Sequence, residues 1–118
     1  MNKILVIIGI IAILLVSSIF AVKSFTENSI KRDEVKEFTV KAFRFGYSPD
    51  LIEVNKGDKV KIIINNTDTL HGMRIPELNL KGNDVLEFTA DKAGEFVWYC
   101  ANMCGKEHMQ MQGKLIVK

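Results

Sequence analysis

Both cysteines of this 118-residue chain, one of its two histidines and three of its five methionines fall in a single stretch, Cys100-Ala-Asn-Met-Cys104-Gly-Lys-Glu-His108-Met-Gln-Met111. The second histidine, His71, lies just beyond a turn-forming segment, Asn65-Asn66-Thr67-Asp68. Thiolate, imidazole and thioether form a soft donor set, which favours copper over hard cations. Cys100, Cys104 and His108 sit at i, i+4 and i+8 and would share one face of a helix. On such a helix the first and last would stand roughly 12 Å apart. Metal–ligand bonds are only about 2.0–2.3 Å, so one ion could not touch both. With Gly105 and the β-prone run before Cys100, the spacing predicts a loop curled around metal.

A single blue-copper ion takes two histidines, one cysteine and a weak axial methionine. His71, Cys104, His108 and Met111 meet that recipe and leave Cys100 over. Two cysteines suit two bridging thiolates and therefore two coppers. An electron shared over two metals changes each bond only slightly, which suits electron relay, and the segment offers no general base or open position for a substrate. Other readings stand beside this one. An exported chain with two cysteines can form a disulfide, and two cysteines with two histidines can bind structural zinc, although this spacing is unlike that of a finger. Met103 and Met109 read as core filler, whereas Met111 has the stronger case as a ligand. His71 taken alone would be an ordinary polar surface residue; its candidacy rests on the second half-site.

The elements that must position these groups begin with Ile4 to Val22, nineteen residues without a charge. As a helix the run spans roughly 28 Å, close to a bilayer core of about 30 Å. It exceeds the apolar stretch of about 7–15 residues in a secretory signal, and Ile19-Phe20-Ala21 is a poor cleavage site. The reading is a membrane anchor, or uncleaved signal, over residues 1–23, a polar tether over 24–36 and one domain over 37–118. This predicts a single-pass protein of the cell membrane with its domain on the extracytoplasmic side. Charge is nearly balanced, 16 Lys and Arg against 14 Asp and Glu. No basic run interleaved with aromatics points to nucleic acid.

Beyond the tether, short apolar runs alternate with turn residues. Phe38, Val40 and Ala42 alternate, and Phe43 and Phe45 continue in the opposite phase, which predicts a bulge near Ala42–Phe43. Leu51–Val54 ends at the Asn55-Lys56-Gly57-Asp58 turn. Val60, Ile62 and Ile64 form a further strand; Leu86 and Phe88, Phe96–Cys100 and Lys114–Val117 supply the rest. Seven or so strands predict an all-β, antiparallel Greek-key sandwich or barrel behind one N-terminal transmembrane helix. The cysteine loop then joins the last two strands and faces His71 at one end.

Cys100-x3-Cys104-x3-His108-x2-Met111, with His71-Gly72 upstream, resembles the dinuclear CuA cupredoxin domain of haem–copper oxidase (cytochrome c oxidase) subunit II and of nitrous-oxide reductase. The resemblance runs from about Phe38 to Lys118. Cys104-Gly105 followed by His108 is like the oxidase subunit, whereas Trp98-Tyr99-Cys100 and His108-Met109-Gln110-Met111-Gln112-Gly113 are more like the reductase. It implies two copper ions, one on His71 and the other on His108, with Cys100 and Cys104 bridging, Met111 as a weak ligand and the main-chain carbonyl of Asn102 as another. Oxidase subunits commonly carry glutamate in the place of Asn102; a main-chain ligand survives that change, and any tuning by the carboxylate does not. Asp68 reads as a turn cap, with orientation of a histidine as the alternative. Phe43, Phe45 and Tyr47 fall where oxidase subunits have an aromatic stretch linked to electron uptake; Phe43 and Phe45 read as core, and Tyr47 fits either role. The resemblance implies an electron-transfer subunit that is not catalytic alone. Its donor would be a cytochrome c or a cupredoxin-like carrier, and its acceptor a haem-containing oxidase subunit or another redox centre. The alternatives are a free-standing anchored electron carrier and a copper carrier acting in assembly.

Overall fold

A computed structural model describes residues 2–27 and 33–118. The chain divides into two units, one ending at Asp33 and one running from Glu34 to Lys118. The first is the helix α1, Lys3–Glu27. From Ile4 to Ile19 its large apolar side chains are exposed on every side. Among the described residues, no helix is long and apolar enough to cross a membrane. Residues 28–32 of the expected tether lie outside the described residues.

The second unit is a sandwich of nine strands: β1 (Val35–Phe43), β2 (Gly46–Ser48), β3 (Leu51–Val54), β4 (Lys59–Asn66), β5 (Met73–Ile75), β6 (Leu80–Gly82), β7 (Val85–Thr89), β8 (Gly94–Tyr99) and β9 (Gln112–Val117). One sheet has the order β2-β1-β4-β7, the other β3-β9-β8-β5-β6. A period of two drives each long strand. Val40 and Ala42 of β1, Val60, Ile62 and Ile64 of β4, and Phe96 and Trp98 of β8 all turn inward and are buried. Lys41, Lys59 and Glu95, in the opposite phase, face water. Each fully buried large aliphatic side chain contributes about 1.5–3 kcal/mol to holding the layers together.

Several sequence expectations are corrected here. The sandwich is mixed, not wholly antiparallel: β1 runs parallel to β4, and β3 parallel to β9. Those pairings join segments far apart in the chain, as Ile52 with Leu115, which no local pattern reveals. The expected bulge is absent; β1 keeps its alternation through Phe43, then turns through Arg44 and Phe45 into β2. Phe43 therefore points outward, 37% exposed, whereas Phe45 packs against the core. The strands that sequence reading did not find, β2, β5 and β6, have three residues each, too few to display a period.

Candidate metal centre

His71 lies in the loop from β4 to β5. Asn66, the last residue of β4, sets this loop by accepting from the main-chain N–H of His71 at 2.9 Å and of Gly72 at 3.0 Å. Next to it, Gly72 takes a φ of +66°, and a Cβ there would stand 2.8 Å from the Gly82 carbonyl oxygen and 3.1 Å from the Cβ of Ala101. A side chain would push the two loops apart, so glycine is required by both conformation and space.

The His71 ring is fully buried, and its Nε2 lies 2.5 Å from Asp68 Oδ1. Accepting this hydrogen bond, and a second from the main-chain N–H of Arg44, holds the Asp68 carboxyl below the usual range. A charged acceptor at Nε2 assigns the ring proton to that nitrogen. Nδ1 then keeps its lone pair, and it faces Cys100 Sγ at 3.8 Å. This is how a metal-ligating histidine is usually oriented from behind. Asp68 thus does more than cap a turn.

The second loop runs from the end of β8 to β9. It is irregular, with a single 3-10 turn at His108–Gln110, as the helix-length argument requires. Its start is sewn to the first loop: Ala101 N and Asn102 Nδ2 both donate to the His71 carbonyl, at 3.0 and 2.9 Å. The other hydrogen of the Asn102 amide goes to Asn83 Oδ1 at 3.0 Å. The main-chain carbonyl of Asn102 turns inward, 3.0 Å from Cys100 Sγ.

The two sulfurs lie 3.0 Å apart as free thiols, well beyond the bond length of about 2.05 Å in a disulfide. Each has an imidazole on its own flank, His71 beside Cys100 and His108 Nδ1 3.5 Å from Cys104 Sγ. Met111 Sδ, fully buried, lies 3.9 Å from Cys104 Sγ. His71, Cys100 and Cys104 form a buried group whose donor atoms all lie within 4.8 Å of one another. All six residues singled out from the sequence thus meet at one end of the sandwich. Burial pushes the Cys100 thiol up to about 11, with the hydrogen bond to Cys104 adding to the effect. At neutral pH the Cys100 thiol keeps its proton until a cation displaces it, so metal binding there must release a proton.

Met103 and Met109 correct the expectation that they fill the core, being 87% and 67% exposed. The loop turns Cys104, His108 and Met111 inward and these two outward. Tyr47 is buried: its hydroxyl donates to the Gly72 carbonyl at 2.9 Å, and its ring meets that of Trp98 edge-on at 5.8 Å. Burial and the neighbouring thiols push its ionisation far upward. Sequence reasoning missed Arg44, Asn66, Arg74 and Asn83. Only the asparagine at a strand end, five residues before a histidine, left a local signal, that of a side chain able to cap a loop.

The fit of the donor set to copper can be judged from these atoms alone. Two thiols, two imidazole nitrogens, a thioether and a carbonyl oxygen converge at one end of the sandwich with no carboxylate among them. That composition suits a soft or borderline ion and suits calcium or magnesium poorly. Fold and site together define a cupredoxin-type copper-binding domain. The chain belongs to the cupredoxin-like domain family, matching it over residues 8–117. It is 32% identical over 85 residues to cytochrome c oxidase subunit 2 of Thermus thermophilus, covering 67% of this chain and 63% of that subunit. It is 33% identical over 82 residues to nitrous-oxide reductase of Ralstonia nicotianae, covering 61% of this chain and 13% of the reductase. It therefore spans less than two thirds of either relative. Among solved structures, a chain of a haem–copper terminal oxidase dimer shares the fold with a TM-score of 0.60 at 21% identity, covering 92% of this chain and 95% of that one.

Proposed function

We propose that this chain relays electrons through two copper ions as the electron-accepting, subunit II-like domain of a haem–copper terminal oxidase. The observation that carries the reading is the sulfur pair with a separate imidazole on each flank. One ion would leave a cysteine without a role. Two ions would give every donor one: Cys100 and Cys104 would be shared by both, His71 and His108 would each hold one, and Met111 and the Asn102 carbonyl would complete the set. Copper, when bound, supplies one-electron redox chemistry. The protein fixes the donors in advance through Asp68, Asn66 and Asn102, and Tyr47, Trp98 and Met111 keep water from the buried side. Rigid donors limit rearrangement when charge changes, which is what a relay needs.

The relatives support the same reading, since the oxidase subunit and the reductase are redox proteins by name. In this proposal a cytochrome c or cupredoxin-like donor reduces the centre, and a haem-containing subunit takes the electron on. The helix α1 anchors the domain to the cell membrane on the extracytoplasmic side. Its large apolar side chains from Ile4 to Ile19 are exposed on every side, a surface that water does not favour, and the uncharged sequence continues to Val22.

The test is electron paramagnetic resonance of the copper-loaded full chain in detergent, with a copper count. An electron shared by two copper nuclei gives about seven hyperfine lines, and a single blue copper about four. Seven lines with two coppers per chain support the relay; four lines with one copper refute it. Co-purification with a haem-bearing subunit from membranes tests the partner, and loss of the chain from the membrane fraction at neutral pH would refute the anchor.

A further inference from the structure

The main-chain carbonyls of the two cysteines share an unusual surrounding. Arg44 Nε donates to the Cys104 carbonyl at 3.1 Å, and Arg74 Nε donates to the Cys100 carbonyl at 3.3 Å. The two arginines come from opposite sheets. Arg44 stands in the turn between β1 and β2, and its own N–H donates to Asp68 Oδ2 at 2.8 Å. It therefore ties the His71 loop, through Asp68, to the cysteine loop. Arg74 is the middle residue of β5, in register with Tyr99, and its guanidinium lies 4.8 Å from the centre of the Tyr99 ring. That stacking pins it beside Cys100. Among the described residues, neither guanidinium forms an ion pair with a carboxylate. Asp68, the nearest acidic group in these contacts, is occupied by His71 and by the Arg44 main chain.

We propose that Arg44 and Arg74 are positioning residues of the copper centre, each holding one cysteine carbonyl and setting a fixed positive charge beside the sulfur pair that favours the reduced state. This rests on the two-copper reading above. An electron arriving at the centre adds negative charge, and a guanidinium, charged at every working pH, attracts it. Arg74 is half-buried and Arg44 is exposed, so solvent and salt screen Arg44 more. Neither residue belongs to the ligand set.

The experiment is a spectroelectrochemical titration of the copper-loaded full chain in detergent, comparing the wild type with Arg74→Gln, Arg44→Gln and the corresponding lysine variants. At a fixed ambient potential, Arg74→Gln lowers the ratio of reduced to oxidised protein by about tenfold, equivalent to about 59 mV for one electron. Arg44→Gln lowers it by about threefold, and added salt narrows that gap more than the one at Arg74. Arg74→Lys and Arg44→Lys, which keep the charge and lose the planar fork, stay within about twofold of wild type. Glutamine variants with an unchanged ratio, or lysine variants that fall as far as the glutamine ones, overturn the charge role. Because the wild-type paramagnetic spectrum is recorded first, a four-line signal overturns the two-copper reading separately, before any variant is compared. The two arginines sit on different sheets, so failure of one variant to fold leaves the other to decide.

Discussion

Replacing Asn102 by aspartate changes one atom and removes both donors that join the two liganding loops. The amide gives one hydrogen bond to the His71 carbonyl at 2.9 Å and one to Asn83 Oδ1 at 3.0 Å. The first is half-buried and contributes about 1 kcal/mol; the second is exposed and contributes about 0.5 kcal/mol. A carboxylate would in addition face two oxygen acceptors, a repulsion of about 1 kcal/mol at a partly solvated site. The expected destabilisation is about 2–3 kcal/mol at pH 7. For a folded unit running from Glu34 to Lys118, that corresponds to a fall in Tm of about 10–20 °C. The assay is thermal unfolding of the copper-free full chain, followed by fluorescence of Trp98, the one tryptophan. Asn83→Ala serves as the control, since it removes only the exposed bond and should cost about 0.5 kcal/mol. A pH series gives a second check. Two acceptor oxygens raise the folded pKa of the new carboxyl above its unfolded value of about 3.9. Its protonated form regains a donor, so the deficit is smallest below the unfolded pKa and grows as pH rises through the folded one. An aspartate variant within about 0.5 kcal/mol of wild type, or a deficit that does not shrink in acid, would refute the claim that this amide clamps the loops.

Three further outcomes are expected. Asp68→Ala leaves the buried His71 ring without its partner at Nε2 and should weaken copper binding about 10–100-fold, measured by competition with a chelator, while lowering the stability of the copper-free protein by about 1–3 kcal/mol. Copper affinity should rise at least about tenfold per pH unit between pH 6 and 8, because the Cys100 thiol at about 11 must lose its proton on binding; a flat profile would show that the Cys100 thiol is already ionised. Gly113→Ala should cost about 3 kcal/mol or more, since its Cβ would stand 2.1 Å from Trp98 Cε2 and neither strand backbone nor a buried indole can yield that far; unfolding at wild-type temperature would count against so tight a packing.

What the sequence made legible was what is local. The cysteine loop carries its donors within twelve residues, and the metal–ligand distances alone exclude a helix there. The long strands show their period, and β1, β4 and β8 fall where the alternation puts them. Legibility failed where contacts cross the sheet. Arg44 and Arg74 reach cysteines 60 and 26 residues away, and nothing near either arginine in the sequence marks it. Residue type misled at Met103, Met109 and Phe43: apolar side chains suggested core, but a loop closing on two sulfurs must turn some residues outward, and a strand that keeps its phase through Phe43 must expose it. Asn102 was read for its carbonyl; its side-chain role appeared only once Asn83 and His71 were in place around it.

The order of strands in the larger sheet bears on how the centre comes into being. Strand β9 lies between β3 and β8, and its register sets Leu51 against Lys114 and Val54 against Val117. Until β9 docks, that sheet has a gap in its middle, and the loop carrying Cys104, His108 and Met111 is held only at its Cys100 end. Convergence of the donors therefore depends on a pairing between strands 63 residues apart in sequence, as Ile52 and Leu115 are. Contacts of such separation form slowly. Cys104, His108 and Met111 all precede β9 in the chain, so a complete donor set requires β9 to have docked between β3 and β8.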